Sequence, residues 1–425
     1  MNITRTARTR RPGFTLIEVL VAAGLCMLIM VVMTQAFAAG IDTFSVLKST
    51  GELQERLAVA GTVLQSDLAA THLENQVGEP TRVSGIRFDR IGSGDPAARP
   101  PHRGFFRIQQ ESLSMLEGVD PDTIPSTRAG GSANNGHILH MSVKLPGTRQ
   151  DRAFTANLTG NSATAIQNAQ LQSISLINLE PSTSKYCSQW AEVAYFLNPT
   201  STGTTAAGST PLFSLHRRIR VLTQNDDTGI SWFTSQTATP GMSCNQVTTA
   251  TATIPPTAIG QQKLLNGPGN ITVPDFRLGG KTGIRSATGI DNFAPLGTGD
   301  DILLSNVISF EIKANWDTVS GLPPVAAPTD DAPFYDLPVS TSVPSLGRTF
   351  DTWSDRPNTT SPFNYDGWNT PMIPNPAAPA PPAMIPNPNY RPVPLPIRLK
   401  AIQIKLRIYD PKNKLARQIT LIQDM

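Results

Sequence analysis

The chain has few charges, few aromatic residues and few cysteines for its length. Charged residues make up 16% of the 425 positions, aromatic residues make up 6%, and the net charge is only +3. Such a chain has no dense Lys/Arg surface for a phosphate backbone, so nucleic-acid binding is not expected. The 37 prolines and 32 glycines are instead typical of β-strands joined by long loops.

Signatures of catalysis and metal binding are also missing from the sequence. It contains no nucleophile elbow, P-loop or dinucleotide-binding motif. His137 and His140 lie in a predicted strand, where residues three apart point to opposite faces and do not share a metal. Asp300 and Asp301 leave a Ca²⁺ site open as an alternative to a turn and strand start, although no Asp-x-Asp-x-Asp loop accompanies them. We therefore predict that the protein is not an enzyme and has no catalytic residues, metal or cofactor.

The N-terminal segment combines a basic flank with a long apolar run. Residues 1–12 contain four arginines and no acid, whereas Phe14–Ile41 contains no Lys or Arg and a single acid, Glu18. About 20 apolar residues are enough for a helix to cross a bilayer. The basic flank predicts that residues 1–13 stay in the cytoplasm and that the rest of the chain crosses the membrane.

Glu18 argues against an ordinary secretory signal. Ala36, Ala38 and Ala39 follow the apolar run and have the small side chains of such a cleavage site. That alternative leaves the carboxylate near the start of the membrane helix unexplained. A carboxylate there is unfavourable unless a cation pairs with it, and such groups usually have a function.

The residues Gly13-Phe14-Thr-Leu-Ile-Glu18, followed by about 20 apolar residues, resemble the N-terminus of type IV pilins and type II secretion pseudopilins. The resemblance implies that prepilin peptidase cleaves after Gly13 and that Phe14 becomes N-methylated. It implies further that Glu18 pairs with the N-terminal amine of a neighbouring subunit. The expected location is the inner membrane, crossed once, with the rest of the chain periplasmic or on the cell surface. No proline lies between Gly13 and Pro80, whereas many major pilins have one in this helix, so a minor member is favoured.

Helical periodicity continues beyond the apolar run. Apolar residues recur as Leu53, Leu57, Ala60, Leu64 and Leu68, the stripe of an amphipathic helix. We therefore predict one continuous helix that packs its second half on a globular head. The predicted organisation is a leader (1–13), a transmembrane and assembly helix (14–41), its amphipathic continuation (42–75) and an exported β-rich head (76–425).

The head contains several predicted strands. Apolar alternation indicates strands at residues 136–145, 192–197, 212–222, 302–314, 397–409 and 415–422, the last two forming a hairpin. A change of parity at Ala401-Ile402 suggests a β-bulge. The predicted fold class is α+β and pilin-like, with a long N-terminal helix packed on an antiparallel sheet that has long Pro/Gly-rich loop insertions.

One insertion, residues 321–396, is rich in proline. It holds 19 of the 37 prolines, all between Pro323 and Pro396. Proline favours extended polyproline II and is excluded from central strands. We predict a surface loop, with a proline-rich ligand for a partner protein as the alternative.

The order of elements in the head resembles J-type minor pseudopilins and PilW-type minor pilins. The resemblance rests on a helix element ending in Asp67-Leu68, a strand with Tyr195, a partner strand with Leu215-His-Arg217-Arg218, the strand Val307–Ile312 and a last strand led by Pro396. It implies a minor pilin or pseudopilin at or near the tip of a type IV pilus or secretion pseudopilus. Its partners would be prepilin peptidase and other pilins. The alternative is a surface adhesin or binding protein anchored by the pilin helix.

The two cysteines of the head are a candidate disulfide. Cys187 and Cys244 would close a loop of roughly 60 residues and stabilise an exported head by about 3–4 kcal/mol. Two unpaired buried thiols are the alternative, and the spacing leaves both open.

Overall fold

The computed structural model describes many, but not all, of the residues of the chain. The described residues are 13–76, 78–90, 97, 100–110, 137–147, 152–157, 179–180, 185–198, 202–204, 211–223, 232–234, 241–246, 262–272, 277, 300–316, 334–337, 348–352, 372–374, 384–386 and 397–425. The arginine-rich flank and most of the proline-rich insertion, including Pro396, lie outside the described residues.

The described residues form one long helix followed by short strands. Helix α1 spans Leu16–Ala69, and three 3₁₀ turns lie at Val83–Gly85, Phe88–Arg90 and Asn270–Thr272. The strands are β1 (Leu73–Gln76), β2 (Glu79–Thr81), β3 (Phe106–Gln110), β4 (Ile138–Lys144), β5 (Phe154–Asn157), β6 (Leu179–Glu180), β7 (Lys185–Ser188), β8 (Trp190–Leu197), β9 (Gly203–Thr204), β10 (Pro211–Val221), β11 (Trp232–Thr234), β12 (Cys244–Gln246), β13 (Gln262–Leu265), β14 (Asp300–Trp316), β15 (Arg348–Asp351), β16 (Met372–Pro374), β17 (Met384–Pro386), β18 (Leu399–Asp410) and β19 (Leu415–Asp424).

The centre of the head is one antiparallel sheet. Its strands lie in the order β15-β3-β4-β8-β10-β14-β18-β19, and β9 pairs with β10. From β3 to β19 the neighbours follow one another along the chain, so the core is a meander. Smaller sheets occupy the connections: β5-β7-β6 between β4 and β8, β11-β13-β12 between β10 and β14, and β16-β17 before β18.

The predicted α+β class is confirmed, and the six predicted strands correspond to strands of the central sheet. The predicted bulge also has a counterpart, because the register between β14 and β18 shifts where Asn315 pairs with Ala401 and Trp316 with Leu399. Three strands of the central sheet were not predicted: β3, β15 and the two-residue β9. β3 is buried along its whole length despite its polar residues, and β15 lies inside the proline-rich insertion, so part of that segment joins the sheet edge.

The chain divides into two compact units, Met1–Gln54 and Glu55–Met425. In the second unit, the last turns of α1 pack on the sheet through the predicted stripe, and Leu57, Ala60, Leu64 and Leu68 are buried. Gly61 permits a close approach, since a Cβ atom there would lie 3.2 Å from Cδ1 of Ile419 on β19.

Helix α1 ends at Ala69, so the prediction of a helical continuation to residue 75 was wrong at its end. The residues that follow the helix are hydrogen-bonded to the head. The backbone N–H of Lys144 donates to the carbonyl of Thr71 (2.8 Å). The His72 ring contacts the carbonyls of Ser142 (2.7 Å) and Leu68 (3.1 Å), the latter in the last turn of the helix. These non-local contacts override the helical periodicity, and Leu73–Gln76 becomes strand β1.

The close contact at Gly104 gives a first testable expectation. Gly104 has φ +78°, and a Cβ atom there would overlap the carbonyl oxygen of His72. We expect Gly104→Ala to destabilise the head by at least about 3 kcal/mol, because backbone has to move as well as accept a strained φ. Chemical unfolding of the full chain in detergent measures the loss.

Gly78→Ala is the matched control for this substitution. Gly78 also has a positive φ (+87°), but no atom lies within 4 Å of the added Cβ. Gly78→Ala should therefore lose only the stability that corresponds to the backbone strain, about 1–2 kcal/mol. Equal losses for the two variants would contradict the packing described at Gly104.

Candidate processing and assembly site

The predicted cleavage site lies in irregular backbone just before the helix. Gly13 and Phe14 precede the first helical residue, Leu16, and both are exposed. The ring of Phe14 is 87% exposed. The Gly13–Phe14 peptide bond is therefore accessible in a segment that is not helical.

Thr15 and Glu18 form a reciprocal cap at the start of α1. The backbone N–H and the hydroxyl of Thr15 donate to one carboxylate oxygen of Glu18, at 2.9 and 3.0 Å. The N–H of Glu18 lies 3.4 Å from the Thr15 hydroxyl oxygen. This is the capping-box arrangement, in which Thr-x-x-Glu satisfies donors at the helix N-terminus. This role was not predicted from the sequence, although Thr15-Leu-Ile-Glu18 has the required spacing.

The cap occupies only part of the Glu18 carboxylate. The Thr15 bonds go to Oε2, and the described residues place no cation beside Oε1. The carboxylate is exposed at the start of the helix. The geometry therefore allows Glu18 to accept an amine from outside while it keeps its bonds to Thr15.

The first half of α1 presents an uncovered apolar surface. The helix is long and apolar enough to cross a membrane, and its most apolar 18-residue stretch has no buried side chain in the structure. Large side chains such as Leu20, Met30 and Phe37 are more than half exposed. A surface of this kind requires lipid or other apolar helices as its surroundings.

A second cluster, Asp67–Tyr195–Arg217, joins the end of α1 to the sheet. Arg217 binds the Asp67 carboxylate through two bonds: Nη2 donates to Oδ1 and Nε donates to Oδ2, both at 2.8 Å. The Tyr195 hydroxyl donates to the same Oδ2. Tyr195 and Arg217 are direct partners across β8 and β10. The sheet thus presents a phenol and a guanidinium side by side to one helix carboxylate.

The cluster is a buried network of charge-assisted hydrogen bonds between α1 and the sheet, and we call these three residues the joint. Asp67 and Tyr195 are buried, and the Arg217 side chain is 18% exposed. Burial and then the Asp67 charge raise the pKa of Tyr195, so the phenol stays a neutral donor. Burial works to lower the pKa of Arg217, but hydrogen bonding to Asp67 and the neighbouring charges raise it above its usual range. Tyr195 and Arg217 therefore keep the protonated forms that donate to Asp67.

Arg218, the neighbour of Arg217, points to a different partner. Its Nε and Nη2 donate to the two carboxylate oxygens of Asp300 at 2.7 and 2.9 Å, and its guanidinium lies 4.8 Å from the Phe196 ring centroid. The Ca²⁺ alternative therefore loses the Asp300 carboxylate, which a guanidinium already holds at both oxygens. No group of three or more metal-type ligands occurs among the described residues.

The two histidines that were weighed as metal ligands have separate environments. His137 Nδ1 accepts the N–H of Ile312 at 2.8 Å, whereas His140 Nε2 lies 2.8 Å from the Glu192 carboxylate. Burial lowers the pKa of His140, and Glu192 opposes that effect only in part. The Ser243 hydroxyl donates to the other oxygen of Glu192 rather than to a histidine. The Ser243 hydroxyl is therefore bonded to a carboxylate and not to an imidazole.

The two head cysteines begin or lie in neighbouring small strands. Cys187 is buried in β7, and Cys244 is the first residue of β12. The segment just before Cys244 approaches the partner strand of β7, because a Cβ atom on Gly241 would lie 3.1 Å from Cβ of Ala156. Ala156 in turn pairs with Tyr186, the residue before Cys187.

Comparison with known proteins identifies the N-terminal segment. A family model described as the prokaryotic N-terminal methylation motif matches residues 8–34. No curated protein and no solved structure matches the chain. The motif is one of structural subunits, and the long apolar helix with its antiparallel sheet is consistent with a pilin-like fold. The chain therefore carries a type IV pilin- or pseudopilin-type prepilin signal, followed by a helix that fits a membrane anchor.

Proposed function

We propose that the protein is a minor pilin or pseudopilin of the J or W type, incorporated at or near the tip of a type IV pilus or type II secretion pseudopilus. The observation that carries the branch assignment is the joint at the end of α1. Asp67, Tyr195 and Arg217 come from three separate pieces of the resemblance, and they meet in one hydrogen-bonded cluster. The N-terminal methylation motif supports the broader assignment to pilins and pseudopilins.

The size of the head favours a terminal or occasional subunit. The meander of the central sheet is interrupted by three smaller sheets in its connections. A subunit that repeats along a filament must fit between identical neighbours, and bulky insertions make such packing difficult. A subunit at the end of a filament has no such constraint on one side.

The proposed processing follows from the motif. Prepilin peptidase removes residues 1–13 by cleavage after Gly13, and Phe14 is then N-methylated. Residues 14–41 span the inner membrane or pack among the helices of other pilins, where Glu18 pairs with the terminal amine of a neighbour. Residues 42–75 connect this helix to the head, which is exported to the periplasm or the cell surface.

We propose a disulfide between Cys187 and Cys244. Its support is the approach of the Gly241 segment to Ala156, whose strand partner Tyr186 adjoins Cys187. Peptide mapping of the protein purified without reductant should recover Cys187 and Cys244 in one linked peptide. Separate peptides carrying alkylated thiols would rule out the bond.

Quantitative mass spectrometry of purified filaments tests the position of the subunit. The expected result is a few copies of this chain per filament, against many copies of a smaller pilin. Antibody labelling should find the head at one end. Regular labelling along the filament, or a filament made mostly of this chain, would show that the protein is a major subunit.

An anchored adhesin is the second candidate, and the proline-rich insertion is the observation in its favour. Residues 334–337 and 348–352 are not free for this role, since Tyr335 bridges to Ala314 and β15 pairs with β3 at the sheet edge. A deletion that tests adhesion should therefore begin after Thr352 and end before Ile397, with a Gly/Ser linker in its place. Loss of surface or cargo binding with normal incorporation would favour the adhesin. Loss of neither would leave the assembly role as the function of the chain.

A further inference from the structure

Strand β19 forms one end of the central sheet and is paired on one side. It pairs with β18 over ten consecutive residue pairs without a register shift, from Ala401 with Asp424 to Asp410 with Leu415. The described part of the chain supplies no strand on its other side. This leaves a continuous edge about 30 Å long, at roughly 3.3 Å per residue.

The hydrogen bond of the last residue shows which groups face the open edge. Met425 donates its N–H inward to the carbonyl of Lys400 at 2.8 Å. In an antiparallel pair, alternate residues direct both backbone groups to the same side. Odd-numbered residues of β19 are therefore bonded to β18, and the backbone groups that face outward belong to Ala416, Gln418, Thr420, Ile422 and Asp424.

The edge lacks the usual features that prevent pairing with other chains. Exposed edge strands are normally protected by proline, lysine, bulges or short length. Residues 418–423 of β19 contain no charge, no proline and no glycine, and the side chain of Ile422 is 56% exposed. At the opposite end of the sheet, β15 has four residues, and its Phe350 and Asp351 are buried.

We propose that the open edge of β19 binds an extended segment of a different subunit of the same assembly, which adds a strand to the sheet. The inference rests on the proposed function, because it needs an assembly. Backbone hydrogen bonds would supply most of the affinity, as in other cases of strand addition. The uncharged stretch at residues 418–423 fits an uncharged segment, with an apolar side chain opposite Ile422.

The path of α1 argues against a second copy as the occupant. Gly61 lies beside Ile419 and Leu421, while Leu68 and Ala69 line the same recess as Gln423–Met425. The end of the helix thus runs in the same direction as β19. Antiparallel pairing of two β19 strands, the more stable arrangement, would set the two helices in opposite directions. The copies in a polar filament are related by a rise and a rotation about its axis, and not by the two-fold axis that this antiparallel pairing requires.

Amide hydrogen exchange at single-residue resolution tests the proposal on the full chain. The comparison is between the unassembled protein in detergent, at low concentration, and the same protein in purified filaments. The amides of Gln418, Thr420 and Ile422 should exchange rapidly in the unassembled protein and at least about ten-fold more slowly in filaments. The amides of Ile419 and Leu421 are the internal control and should be protected in both states.

A proline substitution in β19 provides a second test of the proposal. Thr420 is exposed, and its N–H faces outward, so Thr420→Pro removes an edge donor without removing a bond to β18. Thr420→Val keeps the donor and the strand preference. We expect Thr420→Val to be incorporated normally. Thr420→Pro should be lost from filaments while the amides of Ile419 and Leu421 stay protected.

Each remaining outcome overturns the proposal. Rapid exchange of the outward amides in filaments would show an unoccupied edge and leave the minor-pilin function intact. Slow exchange in the isolated chain would show that another part of the same chain covers the edge. Protection that appears only when the purified chain is concentrated would identify a second copy as the partner. Absence of the processed chain from filaments would overturn the proposed function as well.

Discussion

Glu18→Gln is expected to leave the chain inserted in the membrane and to reduce its incorporation into filaments to background. The substitution keeps the shape of the side chain and removes its charge. The carboxylate has an oxygen, Oε1, beside which the described residues place no cation, and in the proposed assembly it would be surrounded by the apolar helices of other subunits. An amine brought there by a neighbouring subunit would lose its counter-ion in the variant. Membrane fractionation and filament purification measure the two properties separately.

Thr15→Ala is the matched control because it separates capping from assembly. The Thr15 hydroxyl donates to Oε2 of Glu18 and closes the reciprocal cap. Removing it costs the helix about 1 kcal/mol and leaves the carboxylate in place. We expect Thr15→Ala to be incorporated at close to the normal level. If Thr15→Ala and Glu18→Gln were equally defective, Glu18 would act as a helix cap and not as a partner for another subunit.

The second large effect is expected at the joint between α1 and the sheet. Asp67→Asn leaves the guanidinium of Arg217 without its carboxylate in a site where the Arg217 side chain is only 18% exposed. Removing one partner of a buried ion pair costs about 3–5 kcal/mol, because the other charge stays behind without compensation. The head should therefore unfold at a clearly lower denaturant concentration. Unfolding followed by the fluorescence of the five tryptophans measures the change.

A double replacement distinguishes loss of the pair from loss of packing. In a Tyr195→Phe background, which removes the phenol that donates to Asp67, Asp67→Leu combined with Arg217→Met removes both charges and keeps apolar volume. We expect this variant to recover most of the stability lost in Asp67→Asn. An exposed ion pair serves as the comparison. Nζ of Lys48 and Oε1 of Glu52 lie 3.9 Å apart on the helix surface, and Glu52→Gln should lower the free energy of unfolding by less than about 1 kcal/mol. A double variant as unstable as Asp67→Asn would show that the charge pair is not the source of the effect.

The buried face of α1 and six strands of the sheet could be predicted from the sequence because their signals are local. The stripe from Leu57 to Leu68 predicted the buried face of α1, and apolar alternation predicted six strands of the sheet. The capping box was also local, since Thr15 and Glu18 are three residues apart. It was missed because Glu18 was interpreted as an intermolecular residue alone.

The joint and strands such as β3 and β15 could not be predicted because their causes are non-local. Asp67 lies 128 residues from Tyr195 and 150 from Arg217, so no periodicity indicates that they meet. Strand β3 has the sequence Phe-Arg-Ile-Gln-Gln, with polar residues that the sheet buries by bonding them to distant groups. Gln110, for example, accepts the N–H of Leu337 at 2.8 Å. The same kind of contact, through Thr71 and His72, ends α1 before the predicted boundary.

The N-terminus of the mature protein tests the central claim most directly. Mass spectrometry of the chain purified from membranes or filaments should find an N-terminal peptide that begins with N-methylated Phe14 and lacks residues 1–13. A Gly13 substitution that blocks the peptidase should restore the full-length N-terminus. A mature chain that retains Met1, or one that begins just after Ala36, Ala38 or Ala39, would contradict the assignment of this segment as a prepilin signal.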